Sequence, residues 1–176
     1  MRRLPGDPAP ERRVRRMIRV DHAGEYGAKR IYEGQLAVLG RRSPAAADIE
    51  RMAEQEERHL KAFDALVTER QVRPTALSPL WHVAGFALGA ATALLGERAA
   101  MACTVAVEEV IDQHYQRQID ALGDDEAALK AALEEFRGDE IEHRDTALAS
   151  GAAAPPLMTA AIKAGSRLAI WLSERI

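Results

Sequence analysis

Glutamate and histidine recur in this sequence at a spacing that few folds can accommodate. Glu25 is followed 31 residues later by Glu56, and Glu108 is followed 32 residues later by Glu140. The second glutamate of each pair opens a Glu-x-x-His step, Glu56 to His59 and Glu140 to His143. Residues three apart on a helix share a face, so each step aims a carboxylate and an imidazole the same way. A chain with 17 Glu and 5 His would yield roughly half of one such step by chance, so the weight rests on what surrounds them.

The surroundings are apolar at helical spacing. Ile49, Met52, Glu56, His59, Phe63 and Leu66 form one stripe, and Leu129, Leu133, Phe136, Glu140, His143 and Ala147 form another. Val105, Glu108, Ile111, Tyr115, Ile119 and Leu122 make a third, and Ile18, Asp21, Glu25, Ala28, Tyr32 and Leu39 a less apolar fourth. Each stripe predicts a helix with that face turned inward. Two hairpins, each pairing a lone-Glu helix with a Glu-x-x-His helix, predict a four-helix bundle.

Four glutamates in the middle of buried faces pose an electrostatic problem. An unpaired buried carboxylate costs several kcal/mol or takes up a proton, and no Lys or Arg lies on the stripes. Two divalent cations would balance four carboxylates, with neutral imidazoles as nitrogen donors. Helical bundles that bind two irons or two manganese ions use this set, one Glu from each of two helices and Glu-x-x-His from the other two. Oxygen and imidazole donors suit those metals better than a thiol-seeking one. The candidate ligands are therefore Glu25, Glu56, His59, Glu108, Glu140 and His143. Asp139 and Gln55 precede the two steps and either orient the opposing histidine or are plain surface positions. His114 and Tyr115, two turns beyond Glu108, approach a substrate or the metal, or in the case of Tyr115 simply fill the core.

Gly and Pro divide the chain consistently with this reading. The first helix runs from about Glu11 to Leu39 and stops at Gly40. Ser43-Pro44 reads as cap and first position of a second helix that ends before Pro74. Ser78-Pro79 repeats the device and opens an apolar segment. A further helix follows Gly96 and reaches Leu122, Asp124 caps the next after Gly123, and Pro155-Pro156 opens a last amphipathic one. The 176 residues are expected to form one domain, residues 1–176. The single Cys103 excludes a disulfide framework and a Cys-based metal site. A net charge of −3 offers no reason to expect a nucleic-acid partner.

Two regions bear on membranes. Arg2, Arg3, Arg12, Arg13, Arg15, Arg16 and Arg19 crowd the start without a following apolar run, so they are not a secretory signal. They suit anionic lipid or a solvated helix start. From Pro74 to Gly96, 23 positions carry no charge, a length that can span a bilayer. A crossing there would place Glu25, Glu56 and His59 on one side and Glu108, Glu140 and His143 on the other. One site cannot be assembled across a membrane. The segment is expected to rest on or dip into one leaflet, with Trp81 at the interface, or to be a protein-buried crossover.

Longer stretches carry a family resemblance. Arg19-Val-Asp-His-Ala-Gly-Glu-Tyr-Gly-Ala28, Pro79-Leu-Trp-His-Val-Ala-Gly-Phe-Ala-Leu-Gly89, Met101-Ala-Cys-Thr-Val-Ala-Val-Glu-Glu109 and Leu172-Ser-Glu-Arg-Ile176 resemble the demethoxyubiquinone (3-demethoxyubiquinol) hydroxylases of coenzyme Q biosynthesis. The similarity runs from about Met17 to the end. Gln113 departs from it, standing where some relatives carry a second His before His114-Tyr115. The resemblance implies an all-α ferritin-like bundle with two irons per chain on the six ligands, bridged by Glu56 and Glu140. It implies a monooxygenase that uses O₂ to hydroxylate the quinol ring of a polyprenylated demethoxyubiquinol. NADH or another external reductant would supply electrons; no Gly-x-Gly-x-x-Gly fingerprint is present. The implied partners are membrane lipid, a lipid-binding accessory protein, other enzymes of the pathway and a second copy of the chain. The implied location is peripheral, on the cytoplasmic face of a bacterial inner membrane or the matrix face of the mitochondrial one. The alternatives are a ferroxidase, a manganese catalase, or a non-catalytic quinone- or lipid-binding bundle.

Overall fold

The computed structural model describes residues 10–41 and 43–176, so Arg2 and Arg3 lie outside the described residues. The chain is all-α: α1 (Pro10–Leu39), α2 (Ala46–Glu69), α3 (Ser78–Leu94), α4 (Glu97–Ile119), a 3₁₀ turn (Asp124–Glu126), α5 (Ala127–Ala149) and α6 (Pro156–Ser173).

Side-chain pairs fix the directions. His22 bonds Asp64 and Lys29 pairs with Glu57, so α1 and α2 are antiparallel. Arg137 bonds Asp112 while Arg98, at the start of α4, bonds the Gly151 carbonyl just past α5, making α4 and α5 antiparallel. Tyr32 reaches Glu108 while Arg13 reaches the Ala121 carbonyl, which sets α1 against α4. Arg51 bonds Glu142 while Arg70 bonds Glu126, which sets α2 against α5. These four helices form a ferritin-like bundle. Helix α3 returns the chain alongside α1, and α6 packs on α4.

Both added helices lie on the α1/α4 side and neither packs on α2 or α5. Small residues set the α1–α3 approach. A Cβ on Gly89 would fall inside the shell of the Ile31 carbonyl, and one on Gly34 would meet the Phe86 carbonyl. Gly40 ends α1 at φ +68° and Gly96 turns α3 into α4 at φ +107°, both left-handed angles that glycine adopts without steric cost.

The buried set of α5 is Leu129, Leu133, Phe136, Glu140, His143 and Ala147, which is the predicted stripe. The stripe of α2 is also buried apart from its last member, Leu66, which is partly covered. Three helix starts differ from expectation, that of α3 by one residue, since Leu77 rather than Ser78 is its cap. Helix α2 begins at Ala46 rather than Pro44, because the Ser43 hydroxyl accepts from the Ala45 N–H and donates to Glu97. Asp124 opens the 3₁₀ turn, and α5 follows it. Apolar clusters close the bundle above and below its middle. One gathers Ile18, Phe63, Tyr115, Leu133 and Phe136, the other Tyr32, Ile49, Met52, Met101 and Ala147.

Candidate metal centre

Between those clusters the four central helices bring the polar residues of their stripes together. Glu25, Glu56, His59, Glu108, Glu140 and His143 are each at most 3% exposed. They form two overlapping sets, Glu25–Glu56–His59–Glu140 and Glu56–Glu108–Glu140–His143. Within each set, one ligand atom per residue lies within 4.8 Å of the others. Glu56 and Glu140 belong to both, the position a bridging carboxylate would take. Each histidine turns Nδ1 inward: His59 Nδ1 lies 3.3 Å from Glu25 and 3.4 Å from Glu140, and His143 Nδ1 lies 3.1 Å from Glu140 and 3.4 Å from Glu56.

The donor set fits a pair of cations. Both carboxylate oxygens of Glu56, Oε2 of Glu108 and Oε1 of Glu140 are buried without a hydrogen-bond donor. Buried acceptors are otherwise almost always satisfied, and each orphan costs about 1–3 kcal/mol. Without metal, protons take up the imbalance. Burial, then repulsion from Glu140 and Glu25, holds the Glu56 carboxyl well above its usual range. Burial and Glu140 raise Glu108 as well, against the hydrogen bond from Tyr32. For His59 burial acts downward, but hydrogen bonds to Glu140 and Glu25 overrule it and raise the imidazole to about 11. Burial would raise Glu140; hydrogen bonds from His143 and His59 prevail and lower it to about 2. Divalent ions entering the cluster would displace those protons.

The outward histidine nitrogens are held reciprocally. His59 Nε2 lies 2.9 Å from Asp139 Oδ2 on α5, and His143 Nε2 lies 3.1 Å from Gln55 Oε1 on α2. As acceptors, Asp139 and Gln55 keep a proton on Nε2 of each ring, so that Nδ1 is the nitrogen that would give up its proton to an incoming metal ion. Phe136 stacks on the His59 ring, with centroids 4.2 Å apart.

Two tyrosines reach the cluster from α1 and α4. The Tyr32 hydroxyl donates to Glu108 Oε1 over 2.7 Å, and the Tyr115 hydroxyl donates to Glu25. Tyr115 thus touches the ligand set. His114 does not: its Nε2 lies 3.0 Å from Asp21, which also accepts from Gln118 at 2.8 Å. The roles of Tyr32 and Gln118 were not read from sequence. Asp21 carried the available signal, since a fifth acid on an inward stripe requires a donor from a facing helix. Cys103 is buried and its thiol is pushed up to about 12 by that burial, so it stays protonated.

A four-helix bundle that buries four glutamates and two histidines in two sets sharing two carboxylates falls in the class of carboxylate–histidine bundles able to hold a pair of metal ions. The chain belongs to the family described as ubiquinone biosynthesis protein COQ7, whose model matches residues 12–173. It is 62% identical over 177 residues to a 3-demethoxyubiquinol 3-hydroxylase of Rhodospirillum rubrum, covering 99% of this chain and 84% of that protein. A mitochondrial NADPH-dependent 3-demethoxyubiquinone 3-hydroxylase of Rattus norvegicus is 54% identical, with 92% and 77% covered. The 5-demethoxyubiquinone hydroxylase of Saccharomyces cerevisiae is 42% identical, with 92% and 77% covered.

Proposed function

We propose that this chain is a di-iron monooxygenase that hydroxylates the ring of a polyprenylated demethoxyubiquinol in ubiquinone biosynthesis. The observation that carries the reading is the pair of ligand sets sharing Glu56 and Glu140, in a chain of the COQ7 family. Glu25, Glu56, His59 and Glu140 would hold one iron, and Glu56, Glu108, Glu140 and His143 the other. Iron held there would supply the redox capacity to activate O₂, which no side chain of this protein has. One oxygen atom enters the ring carbon in place of hydrogen and the other leaves as water, so each turnover consumes two electrons and two protons. A reduced nicotinamide nucleotide is the proposed electron source, in keeping with the name of the rat relative.

The chain's own residues supply the setting. Asp139 and Gln55 hold the imidazoles in register, and Tyr32 and Tyr115 hold Glu108 and Glu25. The two apolar clusters keep bulk water away, which strengthens every electrostatic contact inside.

The substrate's tail accounts for the outer helices. Among the described residues no helix is long and apolar enough to cross a membrane. Yet Leu80 and Val83 on α3, Leu94 and Leu95 at its end, and Leu157, Leu168 and Trp171 on α6 are all more than half exposed. An isoprenoid tail leaves the bilayer at about 0.8 kcal/mol per CH₂, so the enzyme goes to the membrane. We place α3 and α6 on the leaflet as a peripheral surface.

Metal analysis of the loaded protein, with a hydroxylation assay on a quinone extract, tests the proposal. Close to two irons per chain are expected. Glu56→Ala should lose both iron and turnover. Glu57→Ala should keep both, because Glu57 points outward and pairs with Lys29 and Lys61. Equal losses in the two variants would overturn the assignment.

A further inference from the structure

The basic helix start is not absorbed by the metal site or by the apolar face, and the structure gives it a shape. Arg13, Arg16 and Arg117 line a recess of about 280 Å³ with His114 and Gln118. A second recess, of about 340 Å³, shares Arg16 and is lined by Arg12, Arg15, Arg19 and Arg73. Every Lys and Arg elsewhere on the described surface, with three exceptions, has a carboxylate within 4 Å. Among the described residues none of these seven arginines does, and only Arg98, Lys130 and Arg167 share that condition. Arg13, Arg15 and Arg19 donate to the carbonyls of Ala121, Gln71 and Arg73, which holds the array in place. Among the described residues the one acid lining either recess is Glu174, which pairs with Arg175.

Unpaired guanidiniums packed side by side repel one another unless an anion lies among them. Where they sit decides which anion. The Ala76 N–H donates to the Ile176 carbonyl and Trp81 donates to Ser173, so the start of α3 and the end of α6 meet. Arg73 lies just before α3, and Glu174 lies one turn from Trp171, itself half exposed. The arginine recesses therefore border the apolar α3/α6 face at one end of the bundle. Apolar side chains at acyl depth with guanidiniums at the rim match a leaflet whose phosphates are anionic.

We propose that the two recesses bind the phosphate headgroups of anionic phospholipids and fix how the enzyme sits on the membrane. Guanidiniums pair with phosphate bidentately, which gives geometry as well as charge. The inference rests on the peripheral-membrane reading above, and the test separates the two. The full chain is floated with vesicles of phosphatidylcholine alone, or with about one-third phosphatidylglycerol. The apolar face should give binding to both, and the anionic lipid should add an increment that about 0.5 M salt reduces.

Among the described residues Arg16 and Arg117 make no side-chain hydrogen bond, so Arg16→Gln/Arg117→Gln should fold with unchanged circular dichroism. At about 1 kcal/mol per arginine at the surface, the double variant should lose about thirtyfold of the anionic increment while binding neutral vesicles like the parent. Lys130→Gln should change neither. Equal binding of the parent to both vesicles, or a double variant that keeps the increment, overturns the headgroup site and leaves membrane docking standing. Binding to neither vesicle overturns both. An increment replaced by saturable binding of inorganic phosphate or NADPH, sensitive to the same two arginines, would reassign the recesses to a soluble phosphate.

Discussion

At the scale of single residues, the histidines of the candidate metal centre have distinct partners. His59 is braced by a carboxylate, Asp139, and His143 by an uncharged amide, Gln55. A carboxylate makes the imidazole a stronger donor, so Asp139→Asn should lower affinity for the ion at the His59 position by about 10–100-fold. Competitive loading against a chelator would show one ion lost before the other; simultaneous loss of both would argue that Asp139 is only a surface acid. Protons give a second test. Glu56 and Glu108 have raised values in the metal-free fold, so they stabilise it below their ordinary 4.5 and lose that contribution as pH rises through the raised values. His59 acts in the same direction between 6.5 and about 11. Glu140, lowered to about 2, costs stability only as pH falls below 4.5. The metal-free protein should therefore melt at lower temperature as pH is raised from about 5 to 9, and ferrous iron should reverse the trend while releasing protons. A melting temperature that rises with pH would refute this charge assignment.

At the scale of elements, the contact between α1 and α3 is set by glycines. Gly89→Ala would drive a methyl into the Ile31 carbonyl, and two packed backbones cannot both yield. A loss of about 1–3 kcal/mol is expected, read as a melting temperature lower by several degrees. Gly24→Ala meets nothing within 4 Å and should be neutral or stabilising by up to about 1 kcal/mol, since Ala is the better helix former. Matching losses in the two would mean that helix propensity, not the close approach, is being measured. The bundle helices were legible in the sequence because burial enforces a period that side chains record, as the unbroken stripe of α5 shows. The α1–α3 seam was not. A glycine that admits a neighbouring backbone looks the same in sequence as one that ends a helix. The six cluster residues were legible because Glu on an apolar stripe is conspicuous. Tyr32 was hidden by its own apolarity, since a ring on a core stripe needs no hydroxyl partner to be explained. The arginine recesses were visible only as a basic run; Arg73 and Arg117, distant in sequence, complete them through the fold.

At the scale of the whole molecule, the outer helices divide the surface. Leu88, at the centre of the uncharged segment, turns partly inward and packs with Ile31, Cys103 and Val107. Val83 is 63% exposed, which makes it the better place for a probe charge. Val83→Glu should weaken vesicle binding and turnover of long-tailed quinols, yet leave iron content and the melting temperature near those of the parent. Short-tailed quinols in detergent should be affected less; equal loss on both would remove α3 from the route of the tail. Because α3 and α6 both lie on α1 and α4, the opposite flank of the bundle, formed by α2 and α5, carries neither of them. There Asp139, with a quarter of its side chain exposed, stands one hydrogen bond from His59. With α3 and α6 on the leaflet, as proposed, the two flanks would offer separate addresses, oil on one and water on the other, to a site midway between them. On that reading a quinol ring and protons from solvent would reach the cluster from opposite directions, neither crossing the other's path.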